Sequence, residues 1–261
     1  MIKFQSFLSS SSGNATFLTD DETHILIDCG ATGAYIERCL SCLGTSGKTL
    51  SAIFLTHSHS DHVGAAGVLS RKFSLPIYAS EGTFENAGQK LGAIAPESKK
   101  TISPGDEIVL GNMKVRVFSL PHDAEGAVSF TFSDEDSKFG IATDTGFVSD
   151  EMLENLSGSD TVIVEANHDI EMLKKGPYPY PLKQRILSDG GHLSNESCGA
   201  LCVALAKAGT KSFWLGHLSQ HNNLPELAYS AVRKALLDNG FTVGGDVAVN
   251  VLPKTWMGET I

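Results

Sequence analysis

The sequence predicts an α+β fold in which two mixed β-sheets pack face to face and helices cover both outer faces, an αββα four-layer sandwich. A chain of 261 residues with 41% hydrophobic residues can bury a large core. Short strand-like segments dominate its middle, and strands alternate with helices on either side of them. No linker-like segment divides the chain, so residues 1–261 are predicted to form a single domain.

The N-terminal third alternates strands with helices. Alternating apolar and polar residues predict a strand over residues 2–7, which ends at the turn-forming cluster 9–14. Short apolar runs predict further strands over residues 15–19, 24–28, 51–56 and 75–79. Helical spacing of apolar residues predicts one helix over 34–43, which stops at Gly44, and another over 61–73.

The rest of the chain is richer in strands. Apolar runs between Gly, Asp and Ser turns predict strands over residues 107–110, 113–120, 127–132, 138–143, 161–165, 212–216 and 247–251. Helical spacing predicts helices over residues 149–156, 194–208 and 225–239. The proline-rich segment 177–181 predicts a rigid, extended loop.

Composition and charge exclude several classes of protein. Charged residues make up 19% of the chain, which excludes a disordered or fibrous protein at this apolar content. No apolar run approaches about 18 residues, so no membrane span or membrane partner is predicted. Residues 1–20 lack the basic and apolar regions of a signal peptide, and we expect a cytoplasmic protein. The formal charge of −10 argues against polyanion binding over the whole surface, but leaves room for a local basic patch.

The cysteines do not form a disulfide framework, because they are odd in number and irregularly spaced. They are Cys29, Cys39, Cys42, Cys198 and Cys202. The last four lie at helical intervals in helix-like segments, which favours buried thiols. A structural zinc held by those four cysteines is the alternative.

A cluster of metal-ligand residues follows the strand predicted over 51–56. His57, His59, Asp61 and His62 lie within six residues and precede a helix. Residues 57 and 59 point the same way in an extended loop, whereas 61 and 62 begin the next turn, so the donors can converge on a pair of cations. Neutral imidazole with carboxylate suits Zn²⁺, Mn²⁺ or Fe. The alternative, an exposed polar loop, does not explain such specific spacing.

This His-x-His-x-Asp-His run resembles the signature of the metallo-β-lactamase fold, whose site lies at the sheet ends. In that family further ligands follow later strands, and His122, Asp144 and His217 each follow a predicted strand here. The resemblance implies two metal ions, with Asp144 as the bridging ligand. It assigns to the first ion His57, His59 and His122, and to the second Asp61, His62 and His217.

The same resemblance implies the chemistry of this site. A hydroxide held between two cations is a strong nucleophile at neutral pH, because each cation lowers the pKa of bound water. Asp61 and Asp144 are then catalytic residues as well as ligands. Asp28, which ends an early strand, matches an aspartate of the family that supports the ligands by hydrogen bonding.

Several segments are similar to the RNase Z-like phosphodiesterase branch, and most of all to the YycJ-type bacterial exonucleases. They read LIDCG, THSHSDH, ATDTG, EANHD, GPYPYPLKQR, LSDGGHLSN and GHLSQ. By this resemblance His192 is a catalytic histidine beside the scissile phosphate, and Ser194 begins a helix whose N–H groups favour an anion. His168 either supports the metals or starts a helix. The chain departs from the pattern in having no second histidine after His122 and no β-CASP insertion between residues 144 and 217.

One segment is basic in this acidic chain. Residues 172–187 carry no acidic residue and four basic ones, Lys174, Lys175, Lys183 and Arg185. Tyr178 and Tyr180 lie among them and can stack on bases. We predict that the four cations contact the substrate backbone. A solvated proline-rich loop with incidental lysines is the alternative.

These features together predict a dinuclear phosphodiesterase that hydrolyses nucleic acid, with the 5′–3′ exodeoxyribonuclease activity and the DNA substrate resting on the resemblance. A small-molecule enzyme, such as a cyclic phosphodiesterase or another hydrolase of the same fold, is the alternative. A metal-bound sensor or scaffold is a third possibility, but the complete set of ligand-type residues argues against it. No obligatory protein partner is evident.

Overall fold

The computed structural model describes residues 1–256 and Gly258, and their strands form two mixed sheets. The N-terminal sheet contains, in spatial order, β1 (Lys3–Ser10), β2 (Gly13–Thr19), β3 (His24–Ile27), β4 (Ala52–Phe54), β5 (Ile77–Ala79) and β6 (Lys99–Thr101). Pairing is antiparallel from β1 to β3 and parallel from β3 to β6.

The C-terminal sheet is mixed in the same way. Its spatial order is β13 (Ala248–Val251), β12 (Ser212–Gly216), β11 (Thr161–Glu165), β10 (Lys138–Ala142), β9 (Val128–Ser133), β8 (Met113–Ser119) and β7 (Glu107–Leu110). Pairing is parallel from β13 to β10 and antiparallel from β10 to β7. Since parallel strands end on the same side, β10, β11 and β12 present their carboxyl ends at one edge.

Helices occupy the connections between strands. Those in the N-terminal half are α1 (Gly33–Cys42), α2 (Ser60–Val63), α3 (Ala66–Phe73) and α4 (Glu81–Leu91). Those in the C-terminal half are α5 (Asp150–Leu156), α6 (Ile170–Lys175), α7 (Tyr180–Ile186), α8 (Asn195–Lys207) and α9 (Pro225–Asp238). Across residues 1–256 and Gly258, no helix combines the length and apolar character needed to cross a membrane.

Three apolar cores separate the four layers, because successive side chains of a strand point to opposite faces. In β3, Ile25 and Ile27 belong to the core between the sheets, whereas Leu26 packs in the core that contains residues of α1 and α3. In β11, Ile163 faces the core between the sheets, whereas Val162 and Val164 pack in the core that contains residues of α8 and α9. The predicted αββα sandwich is therefore confirmed.

Some predicted elements differ from the structure. The helix predicted over 61–73 is split into α2 and α3, and α4, α6 and β6 were not predicted. The extended loop predicted over 177–181 is wrong in its second half, because α7 begins at Tyr180. The N–H groups of the first helical turn have no intrahelical acceptor, so proline, which lacks an N–H, is tolerated there. Pro181 lies in this first turn and does not prevent α7.

The cysteines correct one prediction and exclude an alternative. All five are free. Of the four predicted to be buried, Cys39, Cys198 and Cys202 are, but Cys42 is exposed at the end of α1; Cys29 is buried as well. Cys39 lies in the core beneath the N-terminal sheet, whereas Cys198 and Cys202 lie in the core beneath the C-terminal sheet. Because these cores occupy opposite sides of the molecule, the four cysteines do not form one zinc site.

Candidate metal centre

The predicted ligands meet at the edge where the strands of both sheets end. Two groups of residues have ligand atoms that all lie within 4.8 Å of one another. They contain the residues expected from the sequence, namely His57, His59 and His122 in one group, and Asp61, His62 and His217 in the other. Asp144 lies between them, since it also groups with His57 and His62 at this separation. The structure thus brings all seven candidate ligands together.

The first group consists of three imidazoles. His57 Nε2 lies 3.0 Å from His59 Nδ1, which in turn lies 3.3 Å from His122 Nε2. Burial lowers the pKa of all three rings, and the neighbouring histidines lower that of His57 further. These rings are therefore neutral at physiological pH, the form in which imidazole binds a metal.

The second group collects negative charge around His62. Its Nε2 lies 3.3 Å from Asp144 Oδ2 and 3.6 Å from Asp61 Oδ2, and its Nδ1 donates to Asp28 Oδ2 at 2.8 Å. Burial alone would lower the pKa of His62, but the carboxylates of Asp144 and Asp28 outweigh it and raise the pKa to about 10. A cation at this point would be stabilised by the same carboxylates.

Asp28 has the supporting position expected for it. Its two oxygens accept hydrogen bonds from the backbone N–H and the hydroxyl of Thr56, each at 2.9 Å. Because Oδ2 also accepts from His62 Nδ1, the other nitrogen of that ring faces away from Asp28, and Asn14 Nδ2 and Asp144 Oδ2 lie 2.9 and 3.3 Å from it. An acidic partner of this kind fixes the tautomer and orientation of a metal-binding histidine.

Three of these residues have an unusual backbone. Asp28, Asp144 and His217 adopt φ values of +58°, +61° and +55°, each at or just beyond the end of a strand. L-residues rarely adopt this left-handed conformation, and it occurs most often where function requires it. The strand ends thus turn sharply and direct these side chains into the centre.

Glu165, at the end of β11, was not singled out from the sequence, yet it connects two site histidines. Its Oε1 accepts from Nδ1 of His192 at 2.9 Å and from Nδ1 of His217 at 2.7 Å. Its Oε2 accepts from the backbone N–H groups of Thr145 and Leu193, both at 3.0 Å. Burial alone would raise the pKa of this carboxyl, but His192 and His217 outweigh burial and hold the pKa below its usual range. The signal in the sequence is an acidic residue that ends a buried strand and opens the EANHD segment, but the resemblance gave this residue no individual role.

His192 lies beside the ligands and lines the same cleft. Burial alone would lower its pKa, but Glu165 and Asp144 raise it to about 9. Asp144, Glu165, His192 and His217 also lie close enough to form a metal-ligand group. We interpret this group as a hydrogen-bonded relay, because a nitrogen that donates to Glu165 has no lone pair for a metal.

Three buried atoms of the ligand residues have no hydrogen-bond partner among the described residues: His122 Nδ1, His217 Nε2 and Asp144 Oδ2. Buried polar atoms are rarely left unpaired in native proteins, so these three fit metal coordination. His168 differs: both nitrogens of its buried ring lack a partner within the described part of the chain, and burial lowers its pKa to about 4. It pairs through its backbone with Ser194, whose hydroxyl caps α8, and it belongs to none of the ligand groups.

The centre opens into a cleft of about 400 Å³. Its lining is mostly polar and consists of Ser11, His59, Ser60, Asp61, Lys90, Asp144, Arg185, His192 and His217. Lys90 was missed from the sequence because α4, which carries it, was not predicted. Its Nζ donates to the carbonyl of Ser58 at 3.1 Å, and this holds the ammonium group at the rim.

In the structure, the basic segment 172–187 carries less net positive charge than its sequence suggests, because carboxylates from outside the segment pair with its cations. Arg185 forms a two-pronged ion pair with Asp123, and Lys174 and Lys175 lie 3.5 and 3.1 Å from Glu171. Of the four predicted contacts, Arg185 lines the metal cleft, whereas Lys174 and Lys183 line a neighbouring pocket. Exposed pairs of this kind are weak, so the cations stay available to a phosphate.

Comparisons with known proteins identify relatives of this chain. The family model described as the metallo-beta-lactamase superfamily matches residues 10–210. The chain is similar to exodeoxyribonuclease YycJ of Bacillus anthracis, with 37% identity over 243 residues that cover 93% of this chain and 92% of the relative. It is equally similar to exodeoxyribonuclease WalJ of Streptococcus pneumoniae, with 37% identity over 249 residues, 95% of this chain and 93% of the relative. Among solved structures it resembles the metallo-beta-lactamase fold protein YhfI from Bacillus subtilis, with a TM-score of 0.74, 17% identity and 98% of each chain covered, a likeness of fold alone.

Proposed function

This chain belongs to the metallo-β-lactamase superfamily, and on that basis we propose that it is a dinuclear metal-dependent phosphodiesterase that acts as a 5′–3′ exodeoxyribonuclease. The observation that carries this proposal is the 37% identity to proteins named exodeoxyribonuclease, which extends over 93 to 95% of the chain. With so much of the chain covered, most residues of the cleft fall within the matched length.

We propose that two divalent cations, Mn²⁺ or Zn²⁺ with iron as an alternative, bind here. His57, His59 and His122 would hold the first, Asp61, His62 and His217 the second, and Asp144 both. The unpartnered His217 Nε2 and Asp144 Oδ2 support this assignment. When bound, such cations neutralise phosphate charge and lower the pKa of water, which supplies a nucleophile at neutral pH.

His192 is proposed to move the proton that the leaving group needs. Glu165 holds its Nδ1–H at 2.9 Å, so Nε2 is the atom that remains for the substrate. A proton on Nε2 can be donated to a phosphate oxygen or to the departing alkoxide as charge develops there. Glu165 acts through His192 and is therefore a positioning residue.

The cationic rim supports a polyanionic substrate in a chain of net charge −10. Arg185 and Lys90 line the cleft, and Lys174, Lys175 and Lys183 extend the positive charge along α6 and α7. Contacts of this kind orient a nucleic acid through its phosphates without reading its sequence. We propose that DNA is the substrate, that the enzyme works in the cytoplasm, and that no protein partner is required.

The test is the hydrolysis of duplex DNA labelled at either its 5′ or its 3′ end, with Mn²⁺ present. We expect mononucleotides to be released progressively from the 5′ end. Asp144→Asn should abolish cleavage and lower the metal content, whereas Asp136→Asn, at an exposed position, is the matched control and should do neither. Hydrolysis of bis-p-nitrophenyl phosphate without cleavage of any nucleic acid would favour the small-molecule alternative. Metal content near zero after reconstitution would overturn the proposal entirely.

A further inference from the structure

A second pocket, of about 200 Å³, lies on the other face of α7 from the metal cleft. It is lined by Lys174, Tyr180, Lys183, Gln184 and Leu187. Along α7 and its C-terminal end, the four residues from Tyr180 to Leu187 in this lining follow one another at intervals of three, one and three residues, which puts their side chains on one face of the helix. Arg185 lies on another face and points into the metal cleft. One helix therefore separates the two pockets.

The pocket exposes apolar surface that nothing in the described chain covers. Tyr180 is 73% exposed and Leu187 is 44% exposed, although both belong to the pocket lining. An exposed aromatic ring and an exposed leucine that line one pocket together with polar groups form a candidate binding surface. The ring offers a flat face, and the Gln184 amide offers both a donor and an acceptor.

The charge beside this apolar surface is positive. Lys183 has no carboxylate partner among the ion pairs of the described residues, and its Nζ donates to the carbonyl of Lys174 at 2.7 Å. That bond uses one of the three donors of an ammonium group. A stacking surface bordered by lysines is the combination with which proteins bind single-stranded nucleic acid.

We propose that this pocket binds an unpaired base of the same nucleic-acid strand whose phosphate enters the metal cleft. The inference rests on the proposed function and specifies the substrate as a strand whose end is single-stranded. A helix with its side chains is about 10–12 Å across, which equals about three rises of 3.4 Å along a stacked strand. The bound base therefore lies within about three nucleotides of the scissile phosphate. It must be unpaired and unstacked on one side, since Tyr180 needs a free face of the base.

The experiment combines a change in the protein with a change in the DNA. The substrates are single-stranded oligonucleotides in which an abasic residue is moved through the first positions from the 5′ end. We expect Tyr180→Ala to lower kcat/KM on intact DNA about 5- to 150-fold, the range for one stacked base. Tyr180→Phe should restore most of the activity because it keeps the ring. With the abasic residue at one particular position, wild type and Tyr180→Ala should become equal.

Controls separate this inference from the proposed function. Val109→Ala changes another exposed apolar residue, on the distant strand β7, and should leave kcat/KM unchanged. Hydrolysis of bis-p-nitrophenyl phosphate, which has no base, should be the same in Tyr180→Ala as in wild type. Wild type should also prefer a 5′ overhang to a blunt duplex, and Tyr180→Ala should lose that preference.

Three results would overturn the inference. If wild type degrades DNA and Tyr180→Ala matches it on every substrate, the pocket binds no base, although the proposed function stands. If Tyr180→Ala abolishes self-association in sedimentation and no abasic position equalises the two proteins, the pocket is occupied by a second copy of the chain. If wild type cleaves no nucleic acid at all, the proposed function has failed and the inference fails with it.

Discussion

Replacement of Glu165 by glutamine tests how the buried carboxylate controls the centre. Glu165 accepts four hydrogen bonds, two from backbone N–H groups and two from imidazole Nδ1 atoms. Backbone N–H groups can only donate, so the amide oxygen of Glu165→Gln must face Thr145 and Leu193. The amide NH₂ must then face His192 and His217, and each ring has to accept at Nδ1.

The Glu165→Gln substitution therefore moves a proton onto Nε2 of His217, the atom that we propose as a metal ligand. A neutral imidazole that accepts at Nδ1 carries its hydrogen on Nε2, and Nε2 of His217 is the proposed ligand of the second ion. Loss of such a supporting partner typically weakens metal binding about 10- to 100-fold, or about 1.4 to 2.8 kcal/mol. Glu165→Gln should nevertheless fold, since every former donor retains a partner. Glu165→Ala removes the acceptor of two buried backbone N–H groups, those of Thr145 and Leu193, at about 1–3 kcal/mol each, and should lower the free energy of unfolding by about 2 kcal/mol or more.

The measurement is calorimetric titration of the metal-free protein with Mn²⁺, together with thermal unfolding. Wild type should show two binding steps, and Glu165→Gln should weaken one of them, because His57, His59 and His122 do not contact Glu165. Glu135→Gln, at an exposed position, is the matched control. Binding of both ions with wild-type affinity would refute coordination through His217 Nε2. Equal weakening of both steps would show that the two ligand groups do not act separately.

The cleft and the thiols provide three more tests. His192→Ala should keep both metals and lower kcat on DNA about 10²- to 10⁴-fold, as expected for a lost proton donor; unchanged kcat with a lower Tm would instead indicate a packing role. Lys90→Ala should raise KM for DNA and reduce the slope of log affinity against log salt concentration by about one. Lys114→Ala on β8 is the control and should change neither quantity. If the two variants changed KM and the salt slope equally, a phosphate contact at Lys90 would be excluded. A thiol reagent should modify Cys42 rapidly in the native protein and the four buried cysteines only on unfolding, and rapid reaction of a second thiol would contradict the packing of the cores.

The sequence was most informative where one local pattern determines the outcome. Apolar runs located the central strands of both sheets, and the spacing of His57, His59, Asp61 and His62 indicated metal binding before any fold was known. Elements at the periphery were missed for a physical reason. In α4, Gly82 and Gly88 weaken the helical signal, and its apolar residues identify a helix only once they pack against the N-terminal sheet.

Residues whose role depends on distant partners could not be predicted from local pattern. Glu165 contacts His192 and His217, which are 27 and 52 residues away in the sequence. Lys90 reaches the cleft only because α4 carries it there. Conversely, the basic count of residues 172–187 overstated the local charge, since Asp123 and Glu171 approach from outside that window.

The left-handed strand ends affect how variants of this centre should be read. At Asp28, Asp144 and His217 a single residue has to supply both a functional side chain and a φ near +60°. That side chain is a hydrogen-bond acceptor at Asp28 and a proposed metal ligand at the other two. Alanine removes the functional group and also keeps a methyl group where the backbone disfavours one, at about 1–2 kcal/mol. Glycine removes the same functional group but relaxes the turn. The difference in Tm between the glycine and alanine variants at one position therefore measures the conformational tension held by that turn, because neither variant keeps the functional group.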